Sequence, residues 1–260
     1  MKKTVILLTG CIRPNGMAFT QLTDTEERRQ QYVEAIHYYL DHTNCQVVFC
    51  ENSQTDLRPL FDNVQNRLEI LTFSGNQDKK RGKGYGEVEI IEYAFRHSSF
   101  IHEECIVIKI TGRLIINNIA TIVNSLNYNK DFVTCLFHSD LSFADSRIIC
   151  ATTSFYKAFL TKKDRINDSK GVFFEHILSE MVIQSSLRFI PFVEEPQITG
   201  RSGTTGEWYK LPSQDTDHKN LYQQYALRQL LLVYKASPHR HISFCEKILI
   251  TLRILKYRAF

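Results

Sequence analysis

Three short apolar runs constrain this chain more than any other feature: TVILLTG at 4–10, CQVVFC at 45–50 and CIVIKI at 105–110. Each is β-branched and nearly continuous rather than alternating, the pattern of a strand covered on both faces, as in a parallel sheet. Helical patterns lie between them. Thr23-Asp24-Thr25-Glu26 supplies helix-start chemistry for a helix to about His42, with Tyr32, Ile36, Tyr39 and Leu40 on one side. Leu68–Phe73 reads as a third strand, and Glu87–His97 as a helix with Val88, Ile91, Ala94 and Phe95 at helical spacing. The order strand, helix, strand, strand, helix, strand within the first 115 residues implies an α/β fold with a largely parallel sheet.

Further strands are expected at Phe132–Phe137, Ser146–Thr152 and Leu187–Val193, and helices at Phe155–Leu160 and Val172–Gln184. From about Asn220 the pattern is helical to the end. This gives one α/β domain over 1–215 and a C-terminal helical extension over 216–260. A chain of 260 residues, 43% hydrophobic and 23% charged, has the composition of a soluble globular protein with a sizeable core. No run of about 20 apolar residues is present. The net charge of +4 suits an acidic substrate or an anionic membrane surface and is too small to argue for nucleic acid.

The opening MKKTVILLTGCIRP admits two readings. It resembles a bacterial lipoprotein signal ending at Cys11, which would make the chain a secreted binding module. It also reads as the first buried strand. A signal needs an apolar stretch of about 7–15 residues, whereas Val5–Leu8 is the whole purely apolar run here. The strand reading is adopted. Seven cysteines, an odd number without a CxxC pair, suggest neither a zinc site nor a disulfide framework and fit a reducing compartment. A cytoplasmic protein is expected.

Open α/β sheets bind ligands beyond the carboxyl ends of their strands. The first strand delivers Arg13 and Asn15 there, the second Glu51 and Asn52, and the fourth Lys109, Thr111 and Arg113. The loop SGNQDKKRGKGYGE adds Arg81, Lys83 and glycines, which permit close backbone approach while the cations neutralise phosphate. It matches neither a Walker loop nor a dinucleotide fingerprint, and a solvated basic loop is the alternative. Lys109 interrupts an apolar run, so its charge needs either a carboxylate or a ligand. Asp145 either helps hold a divalent cation or pairs with Arg147. Glu175, behind two phenylalanines at a helix start, is either a general base with a raised pKa or a first-turn acid favoured by the helix dipole. The loop ITGRSGTTGEWY is a turn-rich connector or a lid, with Arg201 for phosphate and Trp208 and Tyr209 as stacking faces for a sugar. No zinc spacing and no hydrolase nucleophile elbow occur.

The order Thr9-Gly10, Glu51-Asn52-Ser53, RGKGYGE, KITGR, DSR, FFE and GRSGTTG resembles a group of bacterial surface-polysaccharide glycosyltransferases of capsule or O-antigen type, variants of the GT-A nucleotide-sugar fold. The resemblance covers residues 4–209 and implies a nucleotide-sugar donor at the carboxyl edge of the sheet. With the polar strand ends and the basic loop this gives a donor set of Thr9, Arg13, Glu51, Asn52, Arg81, Lys83, Lys109, Arg113 and Arg201, in which the resemblance implies that Glu51 contacts the nucleobase. It implies Glu175 as the base; Asp145 is the second catalytic candidate, and the aromatic faces of Trp208 and Tyr209 are the candidates for binding a saccharide or lipid-linked acceptor. The Asp-x-Asp metal motif expected after the fourth strand is replaced by Lys109-Ile110-Thr111-Gly112-Arg113. Either the two cations carry the leaving diphosphate, or Asp145 holds Mg²⁺ or Mn²⁺. A sugar nucleotidylyltransferase is the alternative enzyme, although GCIRPNG is a poor version of its glycine-rich signature.

The tail HISFCEKILITLRILKYRAF sets Phe244, Ile248, Leu249, Leu252 and Leu255 at helical spacing, with Lys247, Arg253, Lys256 and Arg258 against the single acid Glu246. It either lies on an anionic membrane surface at the inner face of the cytoplasmic membrane or closes the core or a dimer contact. No oligomeric state follows from the sequence.

Overall fold

The computed structural model describes residues 2–14, 16, 20–61, 66–126 and 128–256. Asn15 and Arg258, and the side chains of Leu255 and Lys256, lie outside the described residues.

The chain runs β1 (Thr4–Gly10), α1 (Thr25–His42), β2 (Gln46–Glu51), β3 (Leu68–Thr72), α2 (Lys83–His97), β4 (Ile106–Thr111), β5 (Ile115–Ile116), α3 (Ile119–Ser125), β6 (Phe132–Thr134), β7 (Ile148–Thr152), α4 (Thr153–Leu160), α5 (Phe174–Gln184), β8 (Arg188–Phe189), β9 (Ile198–Thr199), α6 (Thr216–Ala236) and α7 (Phe244–Lys256). Seven strands form one sheet in the order β3-β2-β1-β4-β7-β6-β8, while β5 and β9 pair separately. Only β7 runs against its neighbours in the large sheet; the other pairings are parallel. The architecture is therefore α/β with a mostly parallel central sheet.

The two-residue period of the strands splits the core into two layers. Ile6 and Leu8 of β1, Val47 and Phe49 of β2, and Ile106, Ile108 and Ile110 of β4 meet α1 and α3 on one face. Val5, Leu7, Val48, Cys50 and Val107 meet α2, α4 and α5 on the other. Position 109 belongs to this second face, so the period sends the Lys109 side chain under α2 and leaves it 0% exposed. The early strands match their expected positions closely. The later ones are shorter: 132–134, 148–152 and 188–189 against the longer runs expected. α2 begins four residues before Glu87, because the glycine-rich loop supplies its first turn. The helical tail is two helices, interrupted at Ser237-Pro238, where proline disfavours continuation.

α6 contributes Tyr222 and Ala226 to one layer and Val233 to the other, so this helix packs on the core. No described helix is long and apolar enough to cross a membrane. The cysteines are free thiols, buried apart from Cys11, which is half-buried, and the exposed Cys245.

Candidate active site

The carboxyl ends of β1 and β4 open into a cavity of about 510 Å³. Its walls come from the first turn of α2, the segment 143–147, Asp168, the start of α5 and the loop 200–209. The floor is pinned from below. Arg28 of α1 donates to the carbonyls of Cys11 and Leu22, and the Cys11 amide donates to the Tyr32 hydroxyl at 2.8 Å. Where β4 leaves the sheet, the Gly112 amide donates to the Thr9 carbonyl at 2.9 Å. A Cβ at 112 would stand 2.8 Å from that oxygen, so only glycine lets the two strand ends touch.

The glycines of RGKGYGE serve packing. Gly82, at φ 85°, turns the chain into α2, and a Cβ there would strike the Asp168 carboxylate at 2.4–2.6 Å. Asp168 accepts from the Gly84 amide at 3.0 Å and so caps a helix that has no side-chain cap of its own. Burial raises its pKa above the ordinary 3.8. A Cβ at Gly86 would meet the Asn76 side chain, whose Oδ1 accepts from Asn52 Nδ2 at 3.0 Å.

A hydrogen-bonded chain crosses the cavity floor. Thr9 Oγ1 donates to Glu87 Oε1 at 3.1 Å, and the Lys109 ammonium forms an ion pair with the same oxygen. Lys109 also donates to the Ser146 carbonyl at 2.5 Å and lies 5.6 Å from the centre of the Phe174 ring. Ser146 Oγ in turn donates to Glu175 Oε1 at 2.6 Å. Glu175 has its pKa raised above the ordinary 4.5, chiefly by burial, while the Ser146 hydrogen bond and Lys109 pull the other way.

A second cavity of about 600 Å³ lies beside the first and includes Leu136, Glu195, His218, Tyr222 and Tyr225 in its lining. Phe143, Ser146, Arg147, Glu175 and Tyr209 line both cavities, so Glu175 stands at their junction. Asp145 grips Arg147 through two nitrogens, and the guanidinium lies 4.7 Å from the centre of the Tyr209 ring.

The structure brings together Thr9, Asn52, Lys83, Arg113, Glu175, Arg201 and Tyr209 around the first cavity. Lys83 bonds the Thr204 hydroxyl of the 200–209 loop, and burial lowers its pKa. Arg113 donates to Gln31 Oε1 at 3.1 Å and to the Arg201 carbonyl at 3.0 Å. Arg201 pairs with Glu27 at 2.8 Å.

Other expected contacts are placed differently. The Glu51 carboxylate is wholly buried and accepts from the Ser53 amide and hydroxyl, the Thr55 amide and the Thr72 hydroxyl, so it shapes a loop and does not line the cavity. Arg81 stacks on Tyr85 and donates to the Asp164 and Ile166 carbonyls, away from the cavity. Lys109 lies beneath the cavity, paired to Glu87. Arg13 lines a separate cleft of about 210 Å³ that shares Asn52 and Asn76 with the first cavity. Asp145 faces the second cavity with its carboxylate taken by Arg147. Trp208 is 69% exposed and lines neither cavity.

The sequence reading did not single out Glu87, Ser146, Asn76 or Asp168. Glu87 carried a signal, one helical turn beyond Lys83 and facing a lysine in a strand; Asp168 carried none. Among the described residues no three His, Cys, Asp or Glu side chains converge to hold a metal. Of the carboxylates that line the first cavity, Glu87 is paired to Lys109, Glu175 accepts from Ser146, and Asp168 accepts from Gly84 through Oδ2 while its buried Oδ1 has no partner. Asp145, the carboxylate expected to hold Mg²⁺ or Mn²⁺, has its oxygens taken by Arg147.

No protein-family model matches the chain, and no curated protein matches it. Among solved structures it is similar to a protein described as a nucleotide-diphospho-sugar transferase from Desulfovibrio desulfuricans G20, at 12% identity and a TM-score of 0.44, over 74% of this chain and 80% of that one. It is similar to residues 1–349 of S. aureus TarS at 11% identity and a TM-score of 0.38, over 99% of this chain and 72% of the other. It is also similar to a cytidylyltransferase from Leptospira borgpetersenii at 13% identity and a TM-score of 0.42, over 94% and 100%.

Proposed function

We propose that the chain is a glycosyltransferase of GT-A type that moves a sugar from a nucleoside-diphosphate sugar to a saccharide acceptor. The acceptor is lipid-linked, at the inner face of the cytoplasmic membrane, and the product enters a cell-surface polysaccharide of capsule or lipopolysaccharide type. One observation carries this reading: a half-buried carboxylate with a raised pKa at the junction of two cavities. A transfer between two substrates needs the donor's reacting carbon and the acceptor's hydroxyl to meet at a base. The first cavity, with Lys83, Arg113 and Arg201, suits a diphosphate. The cleft shared by Asn52 and Asn76 suits a nucleobase, whose edge bears both donors and acceptors. The second cavity, with Tyr209, Tyr222, Tyr225 and His218, suits a polyhydroxylated ring.

In this scheme the Glu175 carboxylate takes the proton of the acceptor hydroxyl. The acceptor oxygen forms a bond to the anomeric carbon from the second cavity while the bond to the diphosphate oxygen breaks. The electron pair leaves with the nucleoside diphosphate, whose added charge meets Lys83, Arg113 and Arg201. A single displacement inverts the anomeric configuration. Ser146 holds the carboxylate in place, and Lys109 holds Ser146.

The test is a thermal-shift panel of nucleoside diphosphates and nucleotide sugars, with and without Mg²⁺ or Mn²⁺, followed by an assay for nucleoside diphosphate release. A ligand at 100 times its dissociation constant stabilises by about 2.7 kcal/mol. No shift with any nucleotide removes the enzyme reading. Pyrophosphate release from a nucleoside triphosphate and a sugar phosphate would make it a nucleotidylyltransferase instead.

A further inference from the structure

We infer that α7 is a docking face for an anionic lipid bilayer. The inference goes beyond the transferase reading and does not depend on it. Among the described side chains of α7, those that reach the body lie on one side: Ile250 is half-buried and Ile254 is 8% exposed. Phe244, Ile248, Leu249 and Leu252 are 78%, 42%, 59% and 56% exposed. At 100° per residue these four side chains fall within one arc of about 140°, turned away from Ile250 and Ile254. A helix that closes a core hides this arc; here the core takes the opposite side.

Charge selects the occupant. Residues 216–260 hold eight Lys and Arg against two acids, Asp217 and Glu246. The preceding 215 residues hold 24 against 26, so the chain's balance of +4 comes entirely from this segment. Lys247 and Arg253 are exposed and flank the arc on its two sides. A second copy laid face to face would bring these cations together with only Glu246 on each helix to answer them. Anionic headgroups satisfy the cations while the acyl boundary takes the apolar arc. No described helix is long and apolar enough to cross a membrane, and an apolar arc flanked by cations suits a helix lying in the interface plane.

The experiment is flotation of the full chain with vesicles of phosphatidylcholine, with and without phosphatidylglycerol, at low and high salt. The parent is expected to float with the anionic vesicles and to be released by salt. Lys247→Glu/Arg253→Glu lowers the partition by about 25-fold or more, at roughly fivefold per cation. Phe244→Ser/Leu252→Ser lowers it more than about tenfold. All four positions are exposed, so unchanged melting temperatures show that the variants fold. Failure of the parent to bind anionic vesicles overturns the inference, as does parental binding by both variants. So does a parent that sediments as a dimer and becomes monomeric in Phe244→Ser/Leu252→Ser, because a second copy then covers the face. Nucleoside diphosphate release in detergent is read separately, so loss of docking and loss of the transferase reading are distinguishable.

Discussion

Glu175→Gln separates chemistry from architecture at the junction of the cavities. The Ser146 hydroxyl donates to Oε1 at 2.6 Å, and a glutamine oxygen accepts that bond equally well. What the variant loses is the ability to take a proton. Removing a general base costs about 10²–10⁴ in rate, or about 2.7–5.4 kcal/mol of barrier. Donor affinity should change by less than about threefold, because the cations of the first cavity are untouched. Stability moves the other way. Burial raises the Glu175 pKa above 4.5, so the folded state holds this proton more tightly than the unfolded chain does. The associated stability is fully present below the unfolded value and is lost as pH rises through the raised one. At neutral pH the ionised carboxylate therefore costs stability that a neutral amide does not. Glu175→Gln should melt at or above the parent at pH 8, with the difference closing by about pH 4. The parent's rate should rise with pH along a limb above the ordinary carboxylate range. The assays are nucleoside diphosphate release and melting temperature at several pH values. Full activity in the variant moves the base elsewhere, and a clear loss of stability at pH 8 refutes the desolvation argument.

Three further outcomes follow from the same geometry. Lys109→Met should destabilise by about 3 kcal/mol, the low end for breaking a buried pair because Glu87 is 20% exposed, and Glu87→Gln in the same chain should recover part of it in urea unfolding. A stable Lys109→Met that fails to bind nucleotide would place this lysine on the ligand instead. Lys83→Ala should weaken nucleoside diphosphate binding by roughly 10- to 150-fold, the loss of one charge-assisted contact, with little change in melting temperature; calorimetry decides it. Gly84→Ala, which in an open helix gains about 1 kcal/mol, should instead destabilise by about 1–3 kcal/mol, because the new Cβ lies 2.7 Å from Asp168 and 3.3 Å from Phe174. A rise in melting temperature would show that Asp168 yields freely.

The first half of the sheet was legible because burial on both faces leaves no polar alternation to mislead. β1, β2 and β4 are such strands, and their order with α1 and α2 gave the parallel core. The reversal of β7 was not legible: a doubly buried strand reads the same in either direction. β6 and β8 keep only two or three paired residues inside longer apolar stretches, since those stretches also pack on α6 and on loops. The start of α2 was hidden because Gly82, Gly84 and Gly86 look like a flexible loop. Their absent side chains make room for Asp168 and Asn76, partners that sequence spacing does not bring near.

At the site, the sequence showed which strand ends are polar but not which side chain turns outward. Glu51 and Asn52 are neighbours on one strand end; backbone amides and hydroxyls of the following loop draw Glu51 inward, while Asn52 reaches the cavity wall. Lys109 shows the same division. An ammonium inside CIVIKI must meet an opposite charge, and that much follows from the cost of an unpaired buried cation. That the charge sits on α2, 22 positions earlier, follows only from the strand's two-residue period and the packing of α2 on the same face of the sheet, against β1 and β2. The outcome is a cation that joins three elements at one point: β4 that carries it, α2 through Glu87, and the 143–147 segment through the Ser146 carbonyl. Ser146 is the residue whose hydroxyl holds Glu175. An apolar residue at 109 would pack the strand as well but would leave Glu87 unpaired and the Ser146 carbonyl without its donor. The buried charge at 109 is therefore a positioning element for the carboxylate at the cavity junction.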